Sequence, residues 1–231
     1  MVRFVIAALF TLIFTAALAG DFEDGVAAFV RRDYATALEK FRGPAEKGDA
    51  EAQYFIADIY YFGRSVAKNF NEAFRLSKLS AEQGHVESQY RVGLMYELGQ
   101  GTAINYKEAF RWYGLAAEKG VIKAQTGLAI LYANGEGVEK NYKEAIRWYR
   151  SAARQGDALA QNNLGRMYGM GQGIPNDNTK AYMWFHIAAV GGDKDSIKNI
   201  DIAARKMTAQ QIEQAQRMAR ECMSSKFTKC D

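Results

Sequence analysis

Residues 120–156 read GVIKAQTGLAILYANGEGVEKNYKEAIRWYRSAARQG, and this stretch decides the fold. The segment Val121 to Tyr132 carries apolar residues at helical spacing near its end. Gly135 follows where a helix C-terminus needs positive φ at no steric cost. Asn141 and Glu144 then have the spacing of a capping box, predicting the start of a second helix. Gly156 closes that helix as Gly135 closes the first. The stretch is an antiparallel helix hairpin.

The hairpin recurs. Gly48, Gly84, Gly120 and Gly156 stand at a constant interval of 36. In the same phase are Gln53, Gln89, Gln125 and Gln161; Tyr60, Tyr96, Tyr132 and Tyr168; and Ala73, Ala109, Ala145 and Ala181. The capping pair returns as Asn69/Glu72 and Asn105/Glu108, and all three tryptophans, Trp112, Trp148 and Trp184, share one position. One hairpin cannot bury its apolar stripe alone, whereas a stack of hairpins can. Ala57, Gly93, Ala129 and Gly165 keep one position of the first helix (helix A) small, and pairs such as Ala116-Ala117 and Ala152-Ala153 do so late in the second (helix B). Trp148 is expected to be a structural residue in the middle of the stack.

These residues resemble the Sel1-like repeat family, a branch of the tetratricopeptide-type α-solenoids. The third repeat is nearest to its pattern: Gly120, Ala124-Gln125, Leu128, Leu131-Tyr132, Gly135-Glu136-Gly137-Val138, Tyr142, Ala145, Trp148-Tyr149 and Ala152-Ala153. The expected fold is all-α: an α/α solenoid (superhelix) of helix-turn-helix repeats at 48–83, 84–119, 120–155 and 156–191, as one elongated domain without a linker. The first repeat departs from the pattern. Arg64-Ser65 replaces the Gly-x-Gly continuation, and Leu76 stands where the others have Trp. The resemblance implies an exported bacterial member that acts as a protein-interaction scaffold rather than an enzyme.

Residues 20–47 read as an N-terminal partial repeat, and 192–231 as C-terminal capping helices and tail. Thr208 and Gln211 form a further capping box. The polar helix after them is expected to cover the apolar side of the helix bearing Ile197, Ile200 and Ala204. Residues 1–19 have the pattern of a signal peptide: Arg3, an apolar run from Val5 to Ala16, and the small-x-small site Ala17-Leu18-Ala19. The mature chain is expected to begin at Gly20 or Asp21, to be periplasmic or secreted, and to keep no stable membrane anchor. Cys222 and Cys230 are the only cysteines. In an oxidising compartment they are expected to pair, two unpaired thiols being the alternative.

The net charge of +4 is modest and mixed in sign. Glu72/Arg75, Glu108/Arg111 and Glu144/Arg147 read as solvated helix surface, not as a stripe for nucleic acid. Each Gly-x-Gly follows a helix and lacks the preceding strand and third glycine of a phosphate loop. His85 and His186 have no second ligand at metal spacing, and His85 reads as an exposed helix-start residue. No catalytic residue, cofactor or metal is expected. Ser65-Val66-Ala67-Lys68 matches the Ser-x-x-Lys element of penicillin-recognising enzymes. Its companion Ser-Asp-Asn and Lys-Thr-Gly elements are absent. Binding or hydrolysis directed at cell wall or β-lactam is therefore the distant alternative.

The positions of helix A not used by the repeat follow one stripe, and solenoids of this kind usually turn helix A to the concave side. The candidate groove for another protein or peptide consists of Glu51, Phe55, Asp58, Glu87, Arg91, Leu94, Lys123, Ile130, Asn163 and Arg166. Phe55, Leu94 and Ile130 either anchor a partner or fill gaps between repeats. Glu51 and Lys123 read as rim charges.

Overall fold

The computed structural model describes residues 20–230, so the expected signal peptide lies outside the described residues. Twelve helices and no strand occur among them. Helix α1 occupies residues 20–30. It is followed by α2 (Tyr34–Glu46), α3 (Ala50–Phe62), α4 (Phe70–Glu82), α5 (Val86–Leu98), α6 (Tyr106–Glu118) and α7 (Ile122–Asn134). Then come α8 (Tyr142–Ala153), α9 (Ala158–Met170), α10 (Asn178–Val190), α11 (Lys194–Ala204) and α12 (Ala209–Ser224). The fold class is the α/α solenoid of helix-turn-helix repeats. Two compact units divide after Asn105: α1–α5 in unit 1, α6–α12 in unit 2.

Most of the shared repeat positions serve the joints between helices. Gly63, Gly99, Gly135 and Gly171 take φ of +69°, +67°, +78° and +68° at the ends of α3, α5, α7 and α9. The second glycines, Gly101 and Gly137, lie against the backbone carbonyls of Phe70 and Tyr106, where a Cβ would collide. Gly-x-Gly thus turns the chain and lets it touch the preceding helix B. In the first repeat Ser65 adopts the same left-handed conformation, with φ +57°. The buried glutamines reach back to the preceding helix. Gln53, Gln89, Gln125 and Gln161 donate from Nε2 to the carbonyls of Ala45, Ala81, Ala117 and Ala153 at 3.2, 3.3, 3.3 and 3.0 Å. Each adds a second hydrogen bond to a helix-terminal carbonyl that also accepts the N–H of Gly48, Gly84, Gly120 or Gly156.

Two local expectations, the capping boxes and the exposure of His85, are corrected. Asn69 and Asn141 do cap α4 and α8, accepting from the N–H of Glu72 and Glu144 at 3.1 Å. The reciprocal half of the box does not form there. The N–H groups of Asn69 and Asn141 already donate to the carbonyls of Tyr60 and Tyr132, at 3.0 and 2.9 Å, fastening helix A to helix B. Glu72 and Glu144 turn instead to Arg75 and Arg147. Thr208/Gln211 does make the full box, at the start of α12. His85 is half-buried rather than exposed: its Nδ1 accepts from the Ser88 N–H at 3.3 Å, capping α5, and its ring lies 4.7 Å from Tyr54. Trp148 is half-buried, with the Arg147 guanidinium 4.1 Å from its ring, whereas Trp112 and Trp184 are buried.

The core of unit 1 gathers Ala28, Leu38, Phe41, Ile56, Ile59 and Leu76. That of unit 2 runs from Ala129 through Tyr149, Leu164 and Trp184 to Ala219 and Cys222. Helix α12 packs on α10. Ile200 and Ala204 reach the core, but Ile197 is left 58% exposed, so the expected cover over that side of α11 is incomplete. A disulfide joins Cys222 to Cys230 and fastens the tail to α12. Among the described residues no helix is long and apolar enough to cross a membrane.

Candidate interaction surfaces

In unit 1 the free stripe of helix A is largely consumed by the protein itself. Asp58, 6% exposed, accepts from Arg64 Nη1 and from Arg91 Nη2, each at 2.6 Å. The Arg91 guanidinium lies 5.0 Å from the Tyr54 ring and 5.3 Å from that of Tyr61. That of Arg64 lies 4.6 Å from Phe62 and 5.0 Å from Tyr34. Cations over aromatic faces, joined to one carboxylate, make an aromatic box that engages both guanidinium groups. Burial raises the pKa of the Tyr54 hydroxyl, and the Arg91 charge opposes that rise. Phe55 stacks on Phe41 with centroids 4.8 Å apart and lies 4.9 Å from Phe29. Its surroundings match the gap-filling alternative. Leu94 is half-buried, and Glu51 and Glu87 remain exposed.

In unit 2 the corresponding stripe is more open. Lys123 and Arg166 are exposed, while Ile130 is packed against the core. Asn163 is buried and donates to the Leu159 carbonyl at 3.0 Å. Its Oδ1 lies 3.4 Å from Arg166 Nη1. Beside Arg166 a depression of about 140 Å³ opens among α9, α10 and α11. Phe185 and Ala203 contribute to its wall, as do Met170, Ile202, Asn199 and Lys206. Met170 and Ile202 are 58% and 55% exposed.

Asn199 and Ile202 were legible in the sequence, because they lie 36 residues beyond Asn163 and Arg166. Ending the stripe with the last full repeat hides them. Lys206 follows α11 and lies 36 residues beyond Met170, so it too continues the repeat register. The chemistry offered here is an apolar seat flanked by two cations, suited to a segment carrying an apolar side chain beside a carboxylate.

No constellation for catalysis accompanies these surfaces. Ser65 and Lys68 lie in the loop between α3 and α4, not one helical turn apart on a helix, and Lys68 Nζ sits 5.4 Å from the Phe70 ring. Among the described residues no group of three or more His, Cys, Asp or Glu could hold a metal ion.

The Sel1 repeat pattern matches residues 50–85, 86–121, 122–157 and 158–193. The chain belongs to the Sel1 repeat family. Among solved structures, this Sel1 repeat protein is similar to a protective antigen present in uropathogenic Escherichia coli strains that displays an SLR fold. They share 31% identity with a TM-score of 0.82, over 91% of this chain and 47% of the antigen. The chain thus spans about half of that protein. A Sel1 repeat protein from Oxalobacter formigenes matches at 30% identity and TM-score 0.68, over 91% of this chain and 79% of that one. A putative Sel1 repeat protein from Klebsiella pneumoniae subsp. pneumoniae shares the fold at 18% identity and TM-score 0.51, covering 81% and 93% of the two chains. No curated protein matches the chain. Sel1 repeats generally serve as protein-interaction scaffolds.

Proposed function

We propose that this chain is an exported, non-catalytic scaffold that binds a segment of another protein through the helix-A surface of unit 2. The observation that carries this reading is the exposed apolar pair Met170 and Ile202 lying with Arg166 and Lys206 around one depression. Apolar side chains left in water beside cations are the makings of an anchor seat with a charged rim. Opposite charge on the partner would set its register and speed its approach. Export is supported by the Arg3, apolar-run and Ala17-Leu18-Ala19 pattern.

The test is capture from an extracytoplasmic extract by the mature protein, compared with a variant carrying Arg166→Glu and Lys206→Glu. We expect the variant to lose captured proteins that the wild type retains, while its melting stays unchanged. An identical captured set would overturn this surface. Intact mass on exported material showing retained Met1 would overturn the cleavage.

A further inference from the structure

We propose a second interaction surface, on the helix-B residues of α8 in unit 2, that receives an acidic segment of a partner polypeptide. Lys143, Arg147, Arg150 and Arg154 follow one another at intervals of four, three and four, which keeps them on one stripe of the helix. An open depression of about 600 Å³ runs among them. No carboxylate occurs among the described residues that line it.

The chain contains its own control. A depression of about 310 Å³ opens at the same repeat positions of α4, among Phe74, Arg75, Lys78, Leu79 and Glu82. Shape is therefore common to the two helices, and charge is not. On α4, Lys78 meets Glu82 at 4.0 Å. Their counterparts on α8 are Arg150 and Arg154, and those of Phe74 and Leu79 are Ile146 and Ser151. Like charges four apart on a helix repel. Helix α8 thus gives up an attraction that α4 keeps, and it carries two repulsive pairs, Lys143/Arg147 and Arg150/Arg154. Glu144 offsets one of these charges, accepting from Arg147 Nε at 2.9 Å. Carboxylates laid along the stripe turn the remaining repulsion into attraction.

Two of the cations are already positioned. Arg150 donates from Nη2 to the Tyr168 hydroxyl at 2.9 Å, and the Arg147 guanidinium lies 4.1 Å from the Trp148 ring. Side chains held in this way lose less freedom when a partner arrives. The dimensions suit a polypeptide. Along the axis of α8 the four cations span about 16 Å. An extended segment sets alternate side chains on one face about 6.7 Å apart, so three carboxylates cover about 13 Å. Guanidinium forks pair bidentately with such carboxylates. A lipid surface would call for apolar side chains free to insert, whereas Ile146, the apolar residue of the lining, is 5% exposed. This inference rests on the reading that the chain binds a partner polypeptide, but it uses a different surface from that of Arg166.

The probe is a short rhodamine-labelled peptide of alternating glutamate and alanine, followed by fluorescence anisotropy with the mature protein. Wild type should bind it, more weakly as salt rises. Lys143→Glu combined with Arg154→Glu should weaken binding by at least about tenfold, because like charges then meet across the contact. Both side chains are exposed, so this variant should not melt lower. Lys143→Arg with Arg154→Lys, which keeps the charge, should bind as wild type does. Arg166→Glu with Lys206→Glu should also retain the peptide, which brings no large apolar side chain for the seat at Met170 and Ile202. No binding by wild type, unchanged binding in the Lys143→Glu, Arg154→Glu variant, or loss in the Arg166→Glu, Lys206→Glu variant would overturn the proposal. So would tighter binding of wild type to phosphatidylglycerol vesicles that Lys143→Glu with Arg154→Glu abolishes, since a membrane surface would then be the occupant. Capture from extract through Arg166 and Lys206 reads the other surface, so each reading can fail alone.

Discussion

Asp58 in unit 1 and Arg166 in unit 2 occupy the same repeat position, one turn along helix A from Phe55 and Asn163 respectively. Their fates differ. Asp58 meets Arg91 from the next repeat and Arg64 from the adjoining loop, and all three are drawn into an aromatic box. Arg166 faces Asn163 and stays exposed at the edge of an apolar depression. A position that the repeat leaves free is therefore available to a partner only where the neighbouring repeat has not already supplied its complement. Coulomb attraction between adjacent repeats is strong once both groups are withdrawn from water, and it competes directly with binding.

The sharpest way to break this comparison is to remove Asp58. Asp58→Ala leaves Arg91, whose side chain is 11% exposed, without its carboxylate. Truncating one partner of a buried pair typically costs about 3–5 kcal/mol, so denaturant unfolding should report a loss of that order. Unchanged stability would mean that the box is ornamental and that the unit 1 stripe is as open as that of unit 2.

Phe55→Ala should come next, at about 3 kcal/mol, the low end for a buried aromatic because the ring is only half-buried. Capture of a partner by the folded fraction should be preserved. Normal stability with lost capture would return Phe55 to the role of anchor and undo the contrast between the units.

Reducing the disulfide tests how far the support of unit 2 depends on its tail. Cys222 and Cys230 are 8 apart in sequence, and closing so short a loop contributes about 2–3 kcal/mol at most. The expected result is a modest fall in melting temperature with helicity retained up to α11. Collapse of α9–α11 on reduction, read by hydrogen exchange, would show that the tail and not the repeat stack holds the Arg166 surface in place.

The smallest expected stability effect is that of Arg166→Ala. An exposed side chain away from such networks changes stability by no more than about 0.5 kcal/mol. Partner affinity should fall and its salt dependence should flatten. A destabilisation comparable to that of Asp58→Ala would erase the distinction drawn here.

The repeat register was largely legible because it rests on short-range rules. A glycine is needed wherever helix A ends in positive φ, and a small residue wherever two helices nearly touch. The glutamine position carried equal information, but its role appears only when Ala117 and Gln125 are seen to close the joint between α6 and α7. His85 was misread for a related reason: capping depends on where Nδ1 points, and half-burial on the distance to Tyr54.

Sequence alone determined that this chain is a stack of helix hairpins, because the period of 36, the turn glycines and the apolar stripes act within one repeat or between immediate neighbours. Tertiary structure decided which variable positions are spent and which are spare. Asp58 and Arg91 are 33 residues apart, and no pattern in either helix states that they meet at 2.6 Å out of water. Leu76 reads in the sequence as one more apolar residue of helix B. Only the packing of α2, α3 and α4 around it shows that it lines a groove. Side-chain volume and charge acquire their meaning from the groups that surround them, and that surrounding is a property of the folded chain.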